Sequence, residues 1–242
     1  MEIIFWITGF FAAFLGNIAA FGISSILLPI AVTVFPFELA LILTSIFHLF
    51  GNLGRIGFFR GELKMRIFLL FGVPNAIFTF IGANLVGSFP EAVLKLILGI
   101  ILVLYSILGL SGRELRFESR KPYLILGGSI YGFFSGLVGS GGPLRGAMLS
   151  SFGLTGGAYV STNGGISFLT DITRVSVYLW NGYLPREFYW HIPLLFIVAI
   201  TGGYFSKLAI DRMESEQFRN IIHLAVLLAS SKIIWDSLVY YL

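Results

Sequence analysis

The 242-residue sequence predicts an all-α polytopic membrane protein, with about eight transmembrane helices in two four-helix repeats and with broken or re-entrant first and fifth spans. Three observations carry that expectation. Hydrophobic residues make up 57% of the chain and charged residues only 12%, with mean hydropathy +0.90. A soluble domain carries about twice that share of charge. Apolar runs of the roughly 20 residues needed to cross a bilayer recur along the whole length. The chain also states one pattern twice. His48-Leu-Phe-Gly-Asn52-Leu-Gly-Arg55 recurs in outline as Ser167-Phe-Leu-Thr-Asp171-Ile-Thr-Arg174, 119 residues later.

The spans fall at about 3–34, 37–59, 65–88, 91–111, 122–153, 156–181, 187–210 and 216–241. The start Met1-Glu-Ile-Ile-Phe-Trp6 lacks the basic opening of a signal peptide, so it is read as the first membrane helix. The first and fifth spans are too long for one straight crossing. Thirty residues rise roughly 45 Å against a hydrocarbon core of roughly 30 Å. Each has a glycine cluster in the middle. The polar linker Ser111-Gly-Arg-Glu-Leu-Arg-Phe-Glu-Ser-Arg-Lys-Pro122 divides the chain into a first repeat at 1–112, a basic linker at 113–121 and a second repeat at 122–242. Two further pairs keep the same order. Gly9-Phe-Phe-Ala-Ala-Phe-Leu-Gly16 matches Gly132-Phe-Phe-Ser-Gly-Leu-Val-Gly139, and Ile81-Gly-Ala83 matches Thr201-Gly-Gly203. Eight simple crossings make the repeats parallel. A true re-entrant hairpin in spans one and five changes the parity and allows inverted repeats. With eight crossings, Lys and Arg gather on the face of the N-terminus, which puts both termini in the cytoplasm of a multi-pass inner-membrane protein.

Composition also excludes. Cysteine is absent, which removes disulfides, thiolate metal sites and cysteine nucleophiles. The formal charge of +4 reflects basic cytoplasmic loops and points to no nucleic-acid partner. His191 and His223 lack metal-ligand spacing, and no Walker A or G-x-S-x-G sequence occurs, so neither metal, cofactor nor enzyme is expected.

The candidate site residues follow from charge and backbone breaks inside apolar sequence. A helix puts i, i+4 and i+7 on one face, so each copy of the repeated pattern makes a polar stripe ending in a guanidinium. Charge at bilayer depth is costly and usually faces a cavity or a partner. Arg55 and Arg174 are therefore candidate anion ligands; the plainer alternatives are snorkelling for Arg55 and an i, i+3 pair with Asp171 for Arg174. Gly139-Ser140-Gly141-Gly142-Pro143-Leu-Arg145 should interrupt a helix and turn amides toward an anion, with Arg145 close by. Close helix packing is the alternative reading of the same glycines. Its first-half counterpart contains Asn17 between Gly16 and Gly22. Thr162 and Asn163 precede the second arginine by two to three turns and are candidate pathway residues, or ordinary bonders of their own helix. Asp171 and His48 are the candidate proton-coupling groups.

On these residues the chain resembles the sulfite exporter TauE/SafE-like family of membrane permeases. Gly132-Phe-Phe-Ser-Gly-Leu-Val-Gly-Ser-Gly-Gly-Pro-Leu-Arg-Gly-Ala-Met-Leu149 is similar to that family's G-x-x-x-G-x-x-G-x-G-G pattern, and Asp171-Ile-Thr-Arg-Val-Ser-Val-Tyr-Leu-Trp180 is similar to its sixth span. The first half departs from the family pattern: Gly16-Asn-Ile-Ala-Ala20 stands where a G-x-G-G-G cluster is common. The resemblance implies ion-coupled secondary transport, by proton or sodium, of small sulfur-containing anions such as sulfite or organosulfonates. A lipid bilayer is the setting, and a homo-oligomer is compatible with it. A passive anion channel and an intramembrane enzyme are the alternatives the residues leave open.

Overall fold

The structure is a computed structural model describing residues 2–18, 23–58, 63–112, 120–154, 156–213 and 216–239; the side chains of Asn17 and Arg55 lie outside the described set. Every described element is helical. In order they are α1 (Glu2–Ile18), α2 (Ile23–Val34), α3 (Phe37–Phe58), α4 (Met65–Leu85), α5 (Glu91–Leu110), α6 (Lys121–Val138), α7 (Gly142–Ser151), α8 (Gly156–Trp180), α9 (His191–Met213) and α10 (Glu216–Val239). Short 3₁₀ turns at Val86–Ser88 and Arg186–Phe188 follow α4 and precede α9. Four segments, Met65–Ser88, Glu91–Leu110, Arg186–Ser206 and Asn220–Val239, are long and apolar enough to cross a membrane, and Ile4–Phe14, Ile23–Val34 and Phe37–Leu53 are shorter apolar helices. Outward faces such as Ile100, Leu104 and Ile107 on α5 are exposed and apolar, whereas α2 and α3 are buried along most of their length. That distribution suits a polytopic protein with lipid on its outside.

The two long spans are each two helices, and each pair doubles back. Placed end to end, α1 and α2 would hold Phe5 and Phe35 roughly 45 Å apart at 1.5 Å per residue. Their rings instead meet edge to face, with centroids 5.2 Å apart. Likewise Gly127, early in α6, sits against Met148, late in α7. Both spans therefore double back as hairpins. The tip of the second is described: α6 ends at Gly139, whose φ of +71° is a left-handed cap that L side chains rarely adopt. Gly142-Pro143 then starts α7, with proline at a position where its missing N–H costs nothing. The first tip, residues 19–22, lies outside the described residues.

The direction of each helix follows from its neighbours. Residue numbers on α3 and α8 run oppositely: Asn52 meets Asp171, while Lys64, just beyond α3, donates its backbone N–H to Thr162 Oγ1. These two helices are antiparallel. So are α5 and α10, where Gly99 sits against Ile234 and Gly109 against His223. By contrast α6 runs parallel to α4, and α1 parallel to α9, with Trp6 stacked on His191 and Gly202 against Ala13. The contact of α6 on α4 brings backbone against backbone. A Cβ added at Gly128, Gly132 or Gly136 would collide with the backbone carbonyl of Phe71, Asn75 or Thr79. Glycine every fourth residue removes the side chains from one stripe of α6 and lets backbone lie on backbone.

At the end of the molecule where α2 gives way to α3, Glu91 Oε1 accepts the Phe37 backbone N–H at 3.2 Å. Glu91 thus acts as a cap from a distant helix. Replacing it (Glu91→Ala) should cost at most about 1 kcal/mol, read as a small loss in an equilibrium unfolding titration. A loss of several times that would show the carboxylate has a larger role.

Candidate functional site

The repeated polar stripes meet at the centre. Asn52 Nδ2 donates to Asp171 Oδ2 at 2.7 Å, and these are corresponding positions of the two copies, 119 residues apart. His48 Nδ1 lies 2.7 Å from the same oxygen. A carboxylate only accepts, so His48 carries its proton on Nδ1 and leaves Nε2 as the place where a further proton can bind. Arg174 Nη2 reaches Asp171 Oδ1 at 2.8 Å, one helical turn along α8. The i, i+3 pair expected as the plain alternative is therefore present, and Arg174 does more besides. Its Nη1 donates to the Gly139 carbonyl at 2.9 Å, and Tyr178 donates to the Gly136 carbonyl. Together they satisfy carbonyls that the early end of α6 leaves without helical partners.

Arg145 projects from the first turns of α7 and is only 3% exposed. Its Nε donates to Asn163 Oδ1 at 2.7 Å and its Nη1 to the Tyr131 hydroxyl. Its guanidinium carbon stands 5.0 Å from the centroid of the Tyr131 ring, a cation–π distance. These partners are neutral. A guanidinium at this depth that meets only neutral groups costs several kcal/mol relative to water.

A cavity of about 10 Å³ lies between these groups, bounded by Ser24 and Ser25 of α2, His48 of α3, Tyr131 and Ser135 of α6, Gly139, Gly141 and Gly142 at the hairpin tip, Arg145 and Arg174. That is room for about one water. Serine hydroxyls at Ser25 and Ser140 are buried without a hydrogen-bond partner, as is the Nε of Arg174. Unpartnered donors beside a guanidinium are the groups an anion would bond. The first-turn amides of α7, which have no side-chain cap, add to the positive end of that helix.

Of the expected site residues, Arg174, Arg145, Gly141, Gly142 and His48 border this cavity, and Ser140, Asn163 and Asp171 are one bond or one contact behind it. Thr162 is instead the acceptor for Lys64, away from the cavity. Asn17 and Arg55 fall outside the described side chains. Tyr131, Ser135, Ser24 and Ser25 were not legible as site residues. Ser24 and Ser25 had one signal: α2 begins at Ile23, 119 residues before α7 begins at Gly142, so the two serines occupy the start of the counterpart half-helix. Tyr131 is one of ten tyrosines and 25 phenylalanines and had none.

A wider cleft, about 790 Å³, opens at the α2–α3 end among Phe35, Glu38, Tyr183 and Glu187. Its two carboxylates make it a poor seat for an anion. Burial there pushes the Tyr183 phenol above its ordinary pKa, so it stays neutral beside them.

No solved structure matches this chain. It is 29% identical over 254 residues to the probable membrane transporter protein MJ0441 of Methanocaldococcus jannaschii, covering 93% of this chain and 90% of that protein. The family described as "Sulfite exporter TauE/SafE" matches residues 5–233. With a match over nearly the whole length and apolar helices suited to a bilayer, this multi-pass membrane protein belongs to the sulfite exporter TauE/SafE family of transporters.

Proposed function

We propose that the chain is a secondary carrier exporting small sulfur-containing anions, sulfite or organosulfonates, from a site at the tip of its second hairpin. One observation carries the reading: Arg145, buried and faced by neutral partners, stands beside unpartnered serine hydroxyls at a small polar cavity. The narrowness of that cavity favours a carrier that occludes its load over an open pore.

The architecture we infer is six crossing helices and two re-entrant hairpins, arranged as inverted repeats α1–α5 and α6–α10. Glu2 to Lys121, Ile23 to Gly142 and Phe37 to Gly156 are each 119 residues, so the first three helices of each half start in register. The pairs α4·α6 and α9·α1 exchange under this correspondence, as do α4·α8 and α9·α3. Equivalent residues touch only near a two-fold axis, and Asn52 and Asp171 touch. Because α3 and α8 are antiparallel, that axis lies in the membrane plane. Re-entrant hairpins also re-sort the charges. Lys64, Arg66, Arg120 and Lys121 then share a face with the α9–α10 junction and its Lys207, Arg212 and Arg219, whereas Lys95, Arg186 and Lys232 take the other. The positive-inside rule then puts both termini outside, opposite to the expectation from eight simple crossings. Alternating access would move the hairpin tips past each other, and the His48–Asp171 pair would relay the coupling proton.

The test is binding to purified protein. Sulfite should raise the melting temperature of the parent at matched ionic strength, and Arg145→Gln should weaken its binding at least about tenfold, the loss of one charge-assisted hydrogen bond pair. A folded R145Q protein stabilised by sulfite as well as the parent would remove the assignment.

A further inference from the structure

Among the described residues, the charges around the cavity can be counted. Arg145, Arg174, Asp171 and His48 are each at most 7% exposed. The carboxylate is ion-paired with Arg174 through one oxygen and hydrogen-bonded by His48 and Asn52 at the other. In its neutral form, with Nδ1–H given to Asp171 and Nε2 unprotonated, His48 adds no charge to this set. Two guanidiniums therefore face one carboxylate, and a single positive charge, on Arg145, is left without a counter-charge among the described residues. Among the described residues, no carboxylate and no histidine other than His48 borders the cavity.

Resting on the anion-carrier reading above, we propose that the site accepts a load of one net negative charge: a monoanion alone, or a dianion together with one proton. In a low-dielectric interior a monoanion cancels the Arg145 charge, while a bare dianion leaves an uncompensated negative charge of the same cost. A proton accompanying a dianion has two destinations, an oxygen of the anion itself or Nε2 of His48. Facing His48 are Asp171 and Arg174 from α8, Asn52 from its own helix, Arg145 from α7 and the Tyr131 phenol from α6; the α2 serines are uncharged. Either destination gives the same total, so the rule concerns the load and not the route.

The experiment uses the full chain in detergent, with a weak buffer and a pH indicator, and two probes. Methanesulfonate has a fixed single negative charge. Sulfite at alkaline pH is a dianion. Methanesulfonate should bind with no proton taken up. Sulfite should take up one proton per molecule bound, and its affinity should fall tenfold for each further pH unit, since binding and proton uptake are linked. Sulfite binding with no proton, or with two, overturns the charge rule while leaving the anion site in place. Absence of binding by both probes overturns the anion site and this rule with it, so the two failures are told apart.

Discussion

Gly132→Leu should be lost from the membrane fraction as folded protein. The reason is geometric. Gly132 presses on the backbone of Asn75, and a Cβ there would collide with that residue's carbonyl oxygen and crowd its Cα. The obstacle is main chain, so no side-chain rotation relieves it. Either α6 lifts off α4 or the helix distorts, and both loosen the arm that carries the second hairpin. Overpacking of this kind costs about 3 kcal/mol or more. Gly132→Ala should be intermediate, and Gly112→Ala, where a side chain would meet nothing, should be limited to the modest strain of a left-handed backbone. The check is the fraction of monodisperse protein after extraction and its midpoint in a denaturant titration. Equal behaviour of Gly132→Leu and the parent would show that the α4–α6 approach is not as close as described.

The second large effect is expected at Asp171→Asn, which keeps the side-chain shape and removes the charge. Arg174 and Arg145 would then both lack a carboxylate, and His48 would lose its acceptor for Nδ1–H. Breaking a buried ion pair from one side costs about 3–5 kcal/mol, mostly from the charge left behind. The variant should therefore be strongly destabilised in anion-free buffer. It should also change preference. With two uncompensated guanidiniums the site should take sulfite as a dianion with no proton uptake, and added dianion should recover part of the lost stability. A D171N protein as stable as the parent without anions, and still taking up a proton with sulfite, would contradict the ion-pair account.

How much of this was legible in the sequence depends on the kind of interaction. The helical class was, because lipid exposure forces apolar faces that composition reports directly. The two breaks were, because Gly139-Ser-Gly-Gly-Pro143 can hardly continue a helix and 30 residues overrun a bilayer. Their consequence was not. Whether a broken span continues or turns back is decided by contacts such as Phe5 with Phe35, which join positions 30 residues apart and leave no local pattern. The parity of the whole chain, and with it the proposed side of the termini, hangs on that choice. Within the site, the arginines and Asp171 stood out because charge is rare in such sequence. Tyr131 and the α2 serines did not, since neither aromatic rings nor hydroxyls are unusual in membrane helices. Asn52 was seen as part of a stripe, but its contact with its own counterpart Asp171 needed the fold.

The seat of α6 on α4 has a consequence for how the protein is made. Asn75 on α4 donates to Thr170 of α8, Thr79 donates to Asn75 within α4, and the carbonyls of both are roofed by glycines of α6. The partners from α6 and α8 lie in the second half of the chain. When the ribosome has delivered only the first half, α4 is already in the bilayer with a polar, close-packing stripe turned toward lipid. It must wait, held by its own helix bonds or by an insertion chaperone, until α6 and α8 emerge. Each half would then complete its packing only against the other. A gene cut at the linker should yield a working protein only when both pieces share a membrane, and the first piece alone should be the one that proteases remove.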